Sequence, residues 1–136
     1  MATYNKYTAA IEPLLEGINA GTDSWKIALA ATVNSADTTF TAGTSDLATG
    51  GGYTAGGNAA TVSTATQTSG TYKLVLNSPS AWTASGSGFT FRYAILWDST
   101  TSTPVAYWDY GSSQTVLAGE TVTVTLDGTN GVFQAT

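Results

Sequence analysis

The sequence contains no cysteine. That excludes a disulfide framework, a thiolate nucleophile and any cysteine-based metal site. It contains no histidine either. The commonest general base and the commonest transition-metal ligand are therefore missing. Ser-His-Asp and Cys-His catalysis are excluded, and an enzymatic reading must run on carboxylates alone. Charge is scarce, at 10% of residues, against roughly 25% in an ordinary soluble domain. The four basic residues, Lys6, Lys26, Lys73 and Arg92, stand singly. Nucleic-acid binding needs clustered cations to neutralise phosphate, so no nucleic-acid partner is expected. No apolar run approaches the roughly 18 residues that span a bilayer, and no membrane partner is expected. The opening residues lack the apolar core of a signal peptide.

What fills the chain instead is small and hydroxylated. Its 136 residues include 26 Thr, 13 Ser, 15 Gly and 20 Ala. The surface must be built from hydroxyls rather than charges. The length fits a single domain over 1–136, which can bury a sizeable core without staples. Nine acids against four bases leave a net charge of −5.

The apolar periodicity divides the chain. Tyr7, Ala10, Ile11, Leu14, Leu15 and Ile18 fall at helical spacing and predict a short N-terminal helix or arm over residues 1–20. Pro13 must either start a turn or kink it. From Trp25 the period becomes two, and Trp25–Leu29 reads as a strand. Residues 34–58 are rich in turn formers and read as a long loop, flexible or in contact with a partner. Phe40, Leu47 and Tyr53 are expected to pin it to the body. Strands then follow at intervals of about ten residues. Ser69-Gly70 marks a hairpin. Phe89, Phe91, Tyr93, Ile95 and Trp97 alternate with Thr90, Arg92, Ala94, Leu96 and Asp98, the clearest strand in the chain. The pattern predicts an all-β fold, an antiparallel β-sandwich or jelly-roll-like barrel with one short N-terminal helix. Leu74, Leu76, Phe91, Tyr93, Ile95, Val122, Val124 and Leu126 are its expected core.

Carboxylate chemistry has two candidates. Asp98 and Asp109 lie on consecutive strands and could approach each other, as the two acids of a glycosidase do. Asp98 leads into a Ser/Thr turn and is expected to be solvated. Asp109, between Trp108 and Tyr110, is the better candidate for a buried acid. Asp127-Gly-Thr-Asn130 offers oxygen ligands for calcium, but turn chemistry accounts for the same residues. No catalytic residue, cofactor or metal is expected. The four tryptophans, Trp25, Trp82, Trp97 and Trp108, could form a sugar platform, or simply core and cross-strand pairs.

Several stretches in order carry a resemblance. They are Tyr4-Asn-Lys-Tyr7, Ser24-Trp-Lys-Ile-Ala-Leu29, Gly51-Gly-Tyr-Thr-Ala-Gly-Gly57, Gln67-Thr-Ser-Gly-Thr-Tyr-Lys-Leu74, Phe91-Arg-Tyr-Ala-Ile-Leu-Trp97 and Trp108-Asp-Tyr-Gly-Ser-Ser113. Together they resemble small virion structural proteins of tailed double-stranded DNA bacteriophages. The resemblance spans nearly the whole chain and carries over no catalytic residues. It implies a structural part made in the host cytoplasm and placed in the virion. A decoration (cement) protein on the capsid surface is the leading expectation, as a homotrimer bound to the major capsid protein. A tail, neck or fibre-associated subunit is the alternative, and a carbohydrate-binding module a more distant one. The candidate interface residues are Ile11, Leu14, Leu15, Ile18, Phe40, Leu47, Tyr53, Tyr107, Trp108 and Tyr110.

Overall fold

The computed structural model describes residues 2–136. The fold is all-β with one short helical segment. Strand β1 (Thr3–Lys6) is followed by a 3-10 turn (Thr8–Ala10) and helix α1 (Ile11–Glu16). Then come β2 (Trp25–Ala30), β3 (Asn58–Ala59), β4 (Val62–Thr68), β5 (Thr71–Leu76), β6 (Trp82–Thr83), β7 (Phe89–Asp98), β8 (Thr103–Val116), β9 (Thr121–Val122) and β10 (Phe133–Ala135). A five-stranded sheet runs β1-β8-β7-β2-β3 and a three-stranded sheet β10-β5-β4, with β6 and β9 as a separate pair. All pairings are antiparallel. The sheets are open, so the arrangement is sandwich-like rather than a closed barrel.

The helix expected over residues 1–20 is shorter than the spacing suggested. Thr3–Lys6 joins the sheet instead, opposite Ala106–Asp109 of β8. Backbone pairing satisfies those residues, and the remaining apolar stripe supports only the turn and α1. Pro13 sits in the first turn of α1, where its missing N–H has no intrahelical partner to lose. The Ser69-Gly70 hairpin forms as expected, with φ of 50° and 82°.

Both faces of the large sheet are covered near the β2–β7 centre. Trp25, Ile27 and Leu29 oppose Asp98, Leu96 and Ala94 on one face. The three-stranded sheet packs there, and the Phe133 ring lies 6.3 Å from that of Trp25. Lys26, Ala28 and Ala30 oppose Trp97, Ile95 and Tyr93 on the other face. That face is covered by the 31–57 segment, with Phe40 stacked on Trp97 at 4.0 Å and 16°. This explains why Ala94, Leu96 and Asp98 are as buried as Ile95, although alternation placed them outward. Of the expected core, Leu74, Leu76, Phe91, Ile95, Val124 and Leu126 are buried. Tyr93 and Val122 lie at its margin, half-buried.

Strand β8 carries Gly111 in its interior. It continues through it as one 14-residue strand. The register slips opposite Arg92, so residues 110–113 bulge out between the Tyr93–Asp109 and Phe91–Gln114 pairs.

Candidate functional site

The segment expected as a loose loop over 34–58 is tightly built, and Asn58 already belongs to β3. Its organiser is Asp46, a residue the sequence reading passed over. One oxygen of Asp46 accepts the Gly43 N–H at 2.6 Å. The other accepts the Gly56 N–H at 2.6 Å and the Tyr53 hydroxyl at 2.5 Å. The same hydroxyl accepts the Leu29 N–H at 3.0 Å, tying the loop to β2. Burial, and then the hydroxyl's bond to Asp46, push the Tyr53 phenol well above its ordinary value. The Trp97 indole donates to the Gly56 carbonyl at 3.1 Å. Gly57, at φ +75°, lies against β2, where a Cβ would stand 1.9 Å from the Ile27 carbonyl oxygen. The glycine run therefore serves close backbone approach.

Phe40 and Tyr53 are accordingly 3% and 1% exposed. Their role is the expected one of pinning the loop, and they cannot also be contacts for a partner. Leu47 is half-buried, and its N–H bonds the Leu29 carbonyl at 2.9 Å.

The other interface candidates lie elsewhere. Ile11 is 46% exposed and Leu15 81%. Leu14 and Ile18 are half-buried against the body. These four line a cleft with Lys6, Tyr72, Phe133 and Ala135. Lys6, Phe133 and Gln134 also border a second cleft, lined by Tyr4 and Trp108. The helix ridge and the Tyr4–Trp108 edge thus form one continuous surface. Tyr4, which is not among the expected interface residues, is exposed there and meets Trp108 edge-on at 5.6 Å. Tyr107 and Tyr110 are not part of it. Tyr107 is held between Tyr7 and Tyr93, at 5.4 and 5.9 Å. Tyr110 packs edge-on against Phe91 at 5.3 Å.

Asp98 and Asp109 do not come together. Asp98 opposes Thr103 at the hairpin end, while Asp109 opposes Tyr93, five positions along β7. At about 3.3 Å per residue the two are on the order of 16 Å apart, too far to flank one glycosidic bond. The expected solvation is also reversed. Asp98 is fully buried, because the Thr100 and Thr101 N–H groups of the turn hold its Oδ1 at 2.8 and 3.3 Å. Asp109 is part-exposed and bound bidentately by Arg92, at 2.8 and 3.0 Å. The guanidinium, with the Gly111 N–H, holds the Asp109 carboxyl below its ordinary value. Asp127 closes its own turn on the Thr129 and Asn130 N–H groups and the Asn130 amide. Those bonds, led by the Asn130 N–H, lower its pKa. Among the described residues, no three acidic side chains cluster as a metal site would require.

A sugar platform across the tryptophans is not available. Trp25, Trp82 and Trp97 are buried, and only Trp108 reaches the surface. No helix among the described residues is long and apolar enough to cross a membrane. No protein-family model, curated protein or solved structure matches this chain.

Proposed function

We propose that the protein is a non-enzymatic virion structural subunit, a decoration protein that self-associates and docks on the major capsid protein of a tailed bacteriophage. The observation that carries the reading is the exposed ridge of Ile11 and Leu15, continuous with Tyr4 and Trp108. A chain that surrounds itself with hydroxyls has no need to leave Leu15 at 81% exposure for solubility. An apolar ridge bordered by polar residues fits a partner surface. The ordered resemblance to phage virion proteins supports the same reading.

The β4 edge adds a second opening. Val62–Thr68 is seven residues long and carries neither proline nor charge. Natural sheets usually guard such an edge. Its unpaired backbone suits contact with a neighbouring subunit in a lattice. The runner-up, a tail, neck or fibre part, shares these features and differs in copy number.

The deciding experiment is a reconstruction of the virion. Many copies on the head shell, with α1 at a contact, are the expected result. A few copies at the neck or tail would replace the decoration role with the runner-up. Absence from the particle would overturn the reading.

A further inference from the structure

The end of the β7–β8 hairpin is fastened to the turn before β2 by an unusual set of polar contacts. Ser24 is held twice by its backbone. Its N–H bonds the Thr100 hydroxyl at 2.9 Å, and its carbonyl accepts both the N–H and the hydroxyl of Ser99 at 2.8 Å. The preceding turn closes on Asn19, whose carbonyl takes the Thr22 and Asp23 N–H groups. The Asn19 N–H in turn donates to Asp23 Oδ2 at 2.8 Å. The Ser24–Ser99 bond continues the Trp25–Asp98 register, so Asp23 falls on the same face as Trp25 and Asp98, within hydrogen-bonding reach of the Asp98 carboxyl.

Asp98 is fully buried, and its Oδ1 is satisfied by the Thr100 and Thr101 N–H groups. Its Oδ2 is buried with no hydrogen-bond partner among the described residues. A buried carboxylate oxygen left bare costs more than most single contacts return. Among the described residues, no basic side chain acts on it. Lys26 sits on the opposite face of β2, its ammonium 5.9 Å above the Trp97 ring. Arg92 is committed to Asp109. Asp46 is held within the 31–57 loop. From the second sheet the nearest aromatic neighbour of Trp25 is the apolar Phe133. The charged group that faces Asp98 is Asp23.

We propose that the Asp23 and Asp98 carboxyls share one proton, and that this proton fastens the 19–24 turn to the end of the β7–β8 hairpin. Oδ2 of Asp98 then carries the hydrogen and donates it to the Asp23 carboxylate. The orphan acceptor becomes a satisfied donor, and only one negative charge remains in the pair. Burial, followed by the bond to Asp23, raises the Asp98 pKa from its ordinary value. The folded protein therefore keeps a proton that the unfolded chain loses near pH 3.9. Stability from the clasp is complete below that pH and is lost as pH rises through the folded value. Because this turn roots α1 in β2, the clasp tightens the helix ridge in mild acid and loosens it at higher pH.

Two measurements test the pair on the full chain. The first is the carboxyl-carbon titration of the wild-type protein by NMR. An Asp98 step well above the ordinary aspartate value, sensed also at the Asp23 carboxyl carbon, is the expected pattern. Independent titration of both residues near pH 3.9 would overturn the proposal. The second is the melting temperature of D98N across pH. The amide keeps an oxygen for Thr100 and Thr101 and offers a permanent N–H to Asp23. D98N should melt above wild type at pH 8, with the gap closing or reversing by pH 4. A constant gap at all pH values would contradict the shared proton. So would a rise in wild-type melting temperature with calcium that EDTA reverses, since a cation would then fill the place given to the proton.

Discussion

Two of the segments outside the sheets, residues 8–18 and residues 31–57, are held in opposite ways. The first has regular helical backbone, yet α1 buries none of its residues and leaves Leu15 projecting into solvent. The second has no ladder strand, only the Gly50–Tyr53 bridge among the described residues. It is nonetheless the better anchored, through the Phe40–Trp97 stack and the bonds around Asp46. Regular hydrogen bonding within a segment says little about how it is attached. A six-residue helix is marginal alone and depends on what it packs against. An irregular loop with buried polar anchors behaves as part of the core.

The sharpest way to break this comparison is at Gly57. Gly57→Ala forces a Cβ into the Ile27 carbonyl at a positive φ. It should cost about 3 kcal/mol or more, or prevent folding. A melt within a degree of wild type would mean the loop is free to shift. Phe40→Ala removes the ring stacked on Trp97 and should cost about 3 kcal/mol, read from denaturant midpoints at unchanged slope.

Tyr53→Phe should cost roughly 1–3 kcal/mol, because it leaves the Leu29 N–H without an acceptor and removes one of the donors to Asp46. It also has a pH signature. Burial raises the Tyr53 and Tyr7 phenols above their ordinary value. The unfolded chain ionises near pH 10, so stability falls as pH rises above that point. The stability gap between wild type and Tyr53→Phe should therefore narrow in strong alkali. A gap that widens would reverse the sign of the argument. Leu15→Glu, on the exposed ridge, should change stability by no more than about 0.5 kcal/mol. It should abolish self-association in light scattering. Unchanged association would move the interface away from α1.

How much of this was legible in the sequence depended on the kind of signal. Period-two runs such as Phe89–Asp98 located strands, because alternation is imposed by the pleat itself. They did not say which face meets the second sheet. That face carries Ala94 and Leu96, while the aromatic face of Trp97 meets the loop. The burial of Phe40 and Tyr53 was legible because large aromatics in a Gly-rich loop need cover. Asp46 and Asp98 were not, because an acid among Ser and Thr looks solvated. Their burial depends on backbone N–H donors that only the folded loop and turn supply. Strand β1 was hidden for a similar reason. Tyr4-Asn-Lys has no alternation of its own, and its pairing with β8 spans more than a hundred residues. The surface joining Leu15 to Trp108 likewise depends on Phe133, at the far end of the chain.

The central claim is that the helix ridge meets a partner while the 31–57 loop belongs to the body. Amide hydrogen exchange on the free protein and on assembled particles tests it in one measurement. The Leu47, Gly56 and Gly57 amides should be strongly protected in both states. The amides of residues 8–18 should exchange quickly in the free protein and slow on assembly. Fast exchange across 41–57 in the free protein, with protection gained there and not at 8–18, would contradict the account.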